Sequence, residues 1–249
     1  MIGNRRMADE LDADAPFAGI ELRNVSLAYG RHPALSGISG KFAAGSLTAV
    51  VGPNGAGKSS LLDVLAGIRR PTGGEVICPA RGRRRLAFLP QQADIDRDYP
   101  VTVFEFVALG LWRAFGAMRR PSQEDMQAVD DAIAAVGPRS LTSRRIGELS
   151  VGQMQRVLFA RLIVQDAEVI LLDEPFAAVD ERTTAELLAL VAAWHRRGRI
   201  VVAVMHDLAQ VRAHFPDTLV LARTPIAWGD TASVLTEANL ARAREAAQT

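Results

Sequence analysis

The sequence has one cysteine, Cys78, two tyrosines and, although 29 of its 249 residues are Lys or Arg, only two lysines, Lys41 and Lys58. A single cysteine excludes an internal disulfide and a cysteine-built metal cluster, and it suits a reducing compartment. The four histidines, His32, His195, His206 and His214, show no ligand spacing, so no transition metal is expected to bind here. Excess charge is also missing: 29 basic residues face 28 acidic ones, a net +1, which argues against a general polyanion binder. No apolar run approaches the roughly 18 residues needed to span a bilayer. No apolar signal core precedes the acidic residues of the first twelve positions, so the chain is expected to stay inside the cell. What is present is the balance of a folded protein, 49% hydrophobic and 23% charged. At about 150 residues per domain there is room for one large domain or two lobes.

Residues 1–16 are polar and end at Pro16, which predicts a frayed tail. Ile20, Leu22, Val25 and Leu27 then alternate, as in an antiparallel β region. Residues 47–51, 86–89, 169–172, 200–204 and 218–222 are nearly unbroken apolar runs, the pattern of parallel strands buried on both faces. Helical patterns at 58–66, 183–195 and 207–213 alternate with them, giving an α/β layout with a mainly parallel sheet. Gly67 and Pro71 supply a stop for the first helix. Between Gln91 and Gln165 the spacing predicts helices at 101–112 and 124–136, broken at Pro121 and at Gly137-Pro138, without a strand. This reads as a helical lobe, about 91–165, inserted into a body formed by 17–90 and 166–235. A short polar helix is expected from Thr231, with a C-terminal helix or tail at 236–249.

Gly52-Pro53-Asn54-Gly55-Ala56-Gly57-Lys58-Ser59 follows the run 47–51 and opens a helix, matching G-x-x-x-x-G-K-[ST] in the context that motif requires. Its glycines let successive N–H groups turn inward around phosphate oxygens, and the helix start adds a positive dipole. Lys58 then reaches the β and γ phosphates, and the Ser59 hydroxyl ligates Mg²⁺. A plain glycine-rich turn before a lysine would explain the composition but not the flanking strand and helix. The run 169–172 ends in Asp173 and Glu174. Neighbouring strand residues point to opposite sides, so Asp173 suits Mg²⁺ and Glu174 is free to activate water. A polar strand end alone is the bland alternative. Gln91 and His206 likewise lie just past buried strands, on the edge where open α/β sheets collect ligands; Gln91 could hydrogen-bond water or Mg²⁺.

Together these residues resemble the ATP-binding subunits of ABC transporters. The decisive segment is Leu149-Ser150-Val151-Gly152-Gln153, similar to the L-S-G-G-Q signature of that family. Gln91, Glu174, Asp180 and His206 match its Q-loop, catalytic glutamate, D-loop and H-loop in order, and Tyr29 matches the aromatic that stacks on adenine. Ser60 joins the phosphate-loop set. The same segment is also a capping box, Ser150 with Gln153, and a capped helix start is a natural anion site. The resemblance implies a P-loop NTPase fold and a head-to-tail homodimer that sandwiches two ATP molecules with Mg²⁺, each site completed by the signature of the other subunit. Val151 departs from the usual glycine. A β-branched residue tolerates the helical region but not φ > 0, so closure must not demand a left-handed backbone there, or hydrolysis is slower.

Residues 98–110 and 171–180 are similar to subunits of zinc and manganese uptake systems; iron–siderophore importers share much of the pattern. The resemblance thus implies an importer ATPase, peripheral on the cytoplasmic face of the membrane. It would work with an integral membrane permease and, indirectly, a periplasmic or extracellular metal-binding protein. The rival is a soluble ABC ATPase acting on nucleic acid or ribosomes. Arg81-Gly82-Arg83-Arg84-Arg85 is the only dense basic run and lacks interleaved aromatics, so no nucleic-acid partner is expected. A P-loop kinase would have no use for residues 149–153.

Overall fold

The structure is a computed structural model that describes residues 19–78, 86–91, 99–112, 121–137 and 139–248. The expected N-terminal tail and the basic run 81–85 lie outside the described residues. Ordered along the chain are β1 (Gly19–Tyr29), β2 (His32–Ala43), β3 (Leu47–Val51), α1 (Lys58–Leu65), β4 (Gly73–Ile77) and β5 (Leu86–Leu89). The helices α2 (Val103–Ala108), α3 (Gln123–Val136) and α4 (Val151–Gln165) follow. The chain closes with β6 (Val169–Asp173), α5 (Glu181–Arg196), β7 (Ile200–Val204), α6 (Leu208–His214), β8 (Asp217–Ala222), β9 (Thr224–Asp230), α7 (Thr231–Val234) and α8 (Glu237–Gln248).

Two sheets carry the body. Six strands run in the order β5-β6-β7-β3-β8-β9, parallel except for β9, and three antiparallel strands run β2-β1-β4. Strands β3, β6 and β7 are buried at every position, which is why their sequences are unbroken apolar runs. Their alternating side chains feed two cores. Ala49, Val51, Ile170, Leu172, Val201 and Ala203 pack with the helical lobe and α5, whereas Val50, Leu171, Val202 and Val204 pack with α1 and the antiparallel sheet. Helix α1 is thus held between the two sheets, with the loop before it at their junction. The lobe presses onto the first core through α2, α3 and α4. No helix among the described residues is long and apolar enough to cross a membrane.

The parallel strands and the antiparallel region stand where the patterns put them, with three differences. The helix expected over 101–112 is shorter: Thr102 caps it in a box with Glu105, so α2 starts at Val103, and a 3₁₀ turn at Leu109–Leu111 ends it. Gly110 lies in that turn where an added Cβ would meet the Arg161 carbonyl oxygen at 2.9 Å. Strands β2, β4 and β9 had no predicted counterpart. They are edge or pairing strands with interrupting glycine or proline, specified by their neighbours. The helix expected from Thr231 stops at Val234, and a separate helix, α8, forms over Glu237–Gln248 in the stretch expected as a helix or tail. Within the described part of 91–165 there is no strand, only an isolated bridge between Thr102 and Arg145.

Candidate functional site

Because β5, β6, β7 and β3 are adjacent and parallel, their carboxyl ends place Gln91, Asp173, Glu174, His206 and the loop after Val51 along one edge. Within the loop Gly52–Lys58 the Ala56 N–H donates to the Pro53 carbonyl at 3.2 Å, and the loop is fastened to the body by the Arg223 N–H, which donates to the Ala56 carbonyl at 2.8 Å. Asn54 and Gly55 are exposed at its tip, and Pro53 is half-buried. Gly57 caps α1 at φ 87°, and a Cβ there would fall 2.3 Å from the Ala34 carbonyl oxygen, so only glycine fits. No side chain caps this helix, which leaves its first N–H groups free for an anion.

Lys58 is buried, and its Nζ donates to the carbonyls of Gly52 and Pro53, each at 3.0 Å. The ammonium therefore bridges the mouth of its own loop. Burial lowers its pKa, and the nearby charges of Glu174 and Asp173 oppose that shift. Asp173, at the end of β6, is also buried. Desolvation raises its pKa most, the hydroxyl of Ser59 hydrogen-bonds it and pulls the other way, and Glu174 and Asp63 add to the rise. Its Oδ1 is buried and has no hydrogen-bond partner. A carboxylate oxygen left without a donor beside a serine hydroxyl is a fitting pair of ligands for a hard cation such as Mg²⁺.

Glu174 is clamped. Its Oε2 accepts from Gln91 Nε2 at 2.8 Å and its Oε1 lies 2.5 Å from His206 Nε2. The three groups come from the ends of three neighbouring strands. The Glu174 backbone is left-handed, φ 49°, and its N–H donates to the Val204 carbonyl at 3.2 Å. A cleft of about 250 Å³ lined by Glu174, Phe176, His206 and Gln210 opens beside this clamp.

Tyr29, at the end of β1, keeps 43% of its surface exposed; its hydroxyl lies 3.3 Å from Ser60 Oγ, and the Arg69 guanidinium sits 5.5 Å from its ring centroid. A second group forms at the start of α4. Ser150 and Gln153 make the expected capping box, Ser150 N–H donating to Gln153 Oε1 at 3.0 Å and Gln153 N–H to Ser150 Oγ at 3.3 Å. Val151, 51% exposed, is the first helical residue. A Cβ on Gly152 would lie 3.5 Å from Asp180 Oδ2, so Asp180 stands against the signature segment. Asp180 caps α5, accepting from Thr183 N–H at 2.9 Å, and that bond holds its pKa down. The structure thus assembles two sets: Tyr29, the phosphate loop, Gln91, Asp173, Glu174 and His206 in one, and Ser150 to Gln153 with Asp180 in the other. Sequence reasoning missed Gln155 and Arg156. Gln155 Nε2 donates to the Pro175 carbonyl at 2.5 Å, beside Glu174, and only its position two residues past Gln153 hinted at it.

Comparison with known proteins agrees with this layout. The ABC transporter family model matches residues 35–177. The manganese transport system ATP-binding protein of Listeria monocytogenes is 36% identical over 88% of this chain and 92% of its own length. The zinc transport system ATP-binding protein of Treponema pallidum is 37% identical over 93% of this chain and 89% of its own. A solved metal-chelate type ABC transporter in an inward-facing conformation superposes with TM-score 0.81 and 29% identity, covering 91% of this chain and 89% of that one. The chain belongs to the ABC transporter family, as one of its ATP-hydrolysing subunits.

Proposed function

We propose that this chain powers uptake of a divalent transition metal, zinc or manganese, by hydrolysing ATP as a head-to-tail homodimer on a separate integral membrane permease. It would sit peripherally on the cytoplasmic face of the membrane, with a periplasmic or extracellular metal-binding protein delivering cargo. The cargo assignment is supported by the ATP-binding proteins of manganese and zinc transport systems, to which the chain is 36–37% identical along most of its length.

The hydrolytic reading is carried by one observation: Glu174 is held by Gln91 and His206 on the strand-end edge that also bears the phosphate loop. ATP would stack its base on Tyr29 and lay its phosphates along residues 52–60, displacing the Lys58 ammonium from the carbonyls it now bridges onto the β and γ oxygens. Ser59 and Asp173, with Gln91 at the rim, would hold Mg²⁺, which neutralises phosphate charge when bound. Glu174 takes the proton of a water aligned with the γ-phosphate, and His206 steadies the carboxylate. The charge that develops needs donors from the far side, and Ser150, Val151, Gly152 and Gln153 of the second copy supply them, with Asp180 beside them. Gln91, between body and lobe, reports γ-phosphate occupancy to the permease surface.

The test is ATP turnover in the purified chain. Glu174→Gln should reduce it by about 10²–10⁴-fold while ATP binding persists and a nucleotide-bound dimer accumulates. Unchanged turnover would overturn the role of Glu174. In cells, Lys58→Ala should abolish accumulation of radioactive manganese or zinc, and undiminished uptake of both would sink the cargo assignment.

A further inference from the structure

Arg156, on α4, shares its guanidinium among three acceptors on two other helices, α3 and α5. Only 18% of its side chain is exposed. Nη1 donates to the Val136 carbonyl at 2.7 Å, at the last turn of α3, and also to Glu186 Oε2 on α5. Nη2 donates to Thr183 Oγ1 at 2.9 Å, also on α5. Each contact has a physical reason. The terminal carbonyls of α3 have no intrahelical partner and carry the negative end of the helix dipole, so a cation is favoured there. Glu186 supplies a counter-charge, and Arg182 supports that carboxylate from the same helix at 3.3 Å. Thr183 is buried and its N–H is already given to Asp180 Oδ1.

The bonds therefore run in a line from α4 through Arg156 and Thr183 to Asp180, whose other carboxylate oxygen faces Gly152 at the start of the same α4. The line closes on itself: the signature segment and the Asp180 turn are braced against each other from both ends. Arg156 also ties this unit to the rest of the lobe through Val136. Lysine could not replace it, since a single ammonium does not offer planar donors to three acceptors in fixed directions.

We propose that Arg156 is a positioning residue that sets the Ser150–Gln153 helix start and Asp180 in one fixed relation, so that both meet the nucleotide of the second copy together. This rests on the head-to-tail reading given above. Arg156 touches no nucleotide. It acts on how readily two ATP-loaded copies close, and not on how ATP enters one copy.

The experiment measures Mg-ATP-dependent dimerisation of the full-length Glu174→Gln protein, alone and combined with Arg156→Lys or with Thr183→Val. The Thr183 change removes only the hydroxyl that receives Nη2, so it probes the same line without unseating the guanidinium. Both combined variants should dimerise about tenfold more weakly or worse, the loss expected when a charge-assisted hydrogen bond in a closed network is broken. ATP binding to the single copy should be unchanged. In the otherwise unmodified chain, Arg156→Lys should depress turnover at low protein concentration and recover it as concentration rises, because mass action restores a weakened dimer. Dimerisation as tight as in Glu174→Gln alone would overturn the proposal. So would lost ATP binding or a collapsed thermal transition in both variants, or a turnover loss that concentration does not relieve, since these assign the network to holding the fold. If Glu174→Gln itself stays monomeric with ATP, the head-to-tail reading fails first, and the role proposed for Arg156 fails with it.

Discussion

Glu174 sits in a left-handed backbone conformation, φ 49°, and four residues later Ala178 does the same at φ 58°. Non-glycine residues in that region cost of order 1–3 kcal/mol each and persist where the surroundings over-determine them. Here the determinants are the Val204 carbonyl, the clamp from Gln91 and His206, and Gln155 on the Pro175 carbonyl. Glycines solve the neighbouring problem in the phosphate loop, and two of them separate conformation from space. Gly55 (φ 76°) has nothing within 4 Å of an added Cβ, whereas at Gly57 (φ 87°) that atom would fall on the Ala34 carbonyl. Gly55→Ala should therefore cost about 1 kcal/mol, the left-handed penalty alone. Gly57→Ala should cost about 2 kcal/mol or more and weaken ATP binding as the loop shifts. Urea denaturation of the two variants checks the ranking; equal losses would show that the Ala34 contact yields freely.

The residue scale is also where sequence reading stopped. The strand ends could be located because unbroken apolar runs stop at Val51, Leu89, Asp173 and Val204, so Gln91, Glu174 and His206 could be put on one edge. That Gln91 and His206 both grip Glu174 was not readable, because strand adjacency and side-chain reach are set by long-range pairing across 83 and 32 residues of sequence and not by the local pattern. Arg156 gave no signal beyond its charge, since its partners Val136, Thr183 and Glu186 are spread over 50 residues.

At the scale of elements, the helix starts could be read because capping is local. Ser122 with Asp125 caps α3 and Ser150 with Gln153 caps α4, by the same geometry. The strand β2 was invisible for the opposite reason. His32–Ala43 contains Pro33, Gly37 and Gly40, and its strand character comes from pairing with β1, with Gly40 lying where a Cβ would strike the Trp228 ring. The twin capping boxes allow a controlled comparison. Ser122→Ala and Ser150→Ala should each lower stability by about 1 kcal/mol. Only Ser150→Ala should also slow ATP turnover, because that helix start has a second duty in the proposed dimer. Equal turnover in both variants would reduce the signature segment to a cap.

Caps also set the response to acid. Hydrogen bonds from Thr102 hold the Glu105 carboxyl below its usual 4.5, and those from Thr183 hold Asp180 below its usual 3.8. A carboxyl depressed on folding stabilises above its unfolded pKa, and that stability disappears as pH falls through its folded pKa. The unfolding midpoint should therefore be insensitive to these groups above about pH 5 and should fall below about pH 4.5. Chemical denaturation of Glu105→Gln and Asp180→Asn across pH 3–6 should give a shallower acid slope than the unmodified chain; parallel slopes would show that these bonds do not outlast the change of pH.

For the whole molecule, the remaining question is where the membrane partner acts. The segment from Tyr99 to Trp112 divides cleanly. Val103, Phe106, Val107 and Leu111 are buried in the lobe core, while Tyr99 (64% exposed), Leu109 and Trp112 (61% exposed) face outward. Large apolar side chains on that side, just past Gln91, suit contact with the proposed permease. Because these three residues are exposed, replacing them removes no core packing, so the stability of the isolated chain should change by less than about 0.5 kcal/mol. Tyr99→Ser and Trp112→Ser should therefore leave ATP turnover of the isolated chain intact yet abolish both copurification with the permease and metal uptake. Uptake at the unmodified rate would move the docking surface elsewhere. Turnover lost in the isolated chain would instead mean that this stretch supports Gln91 and the Glu174 clamp from the lobe side.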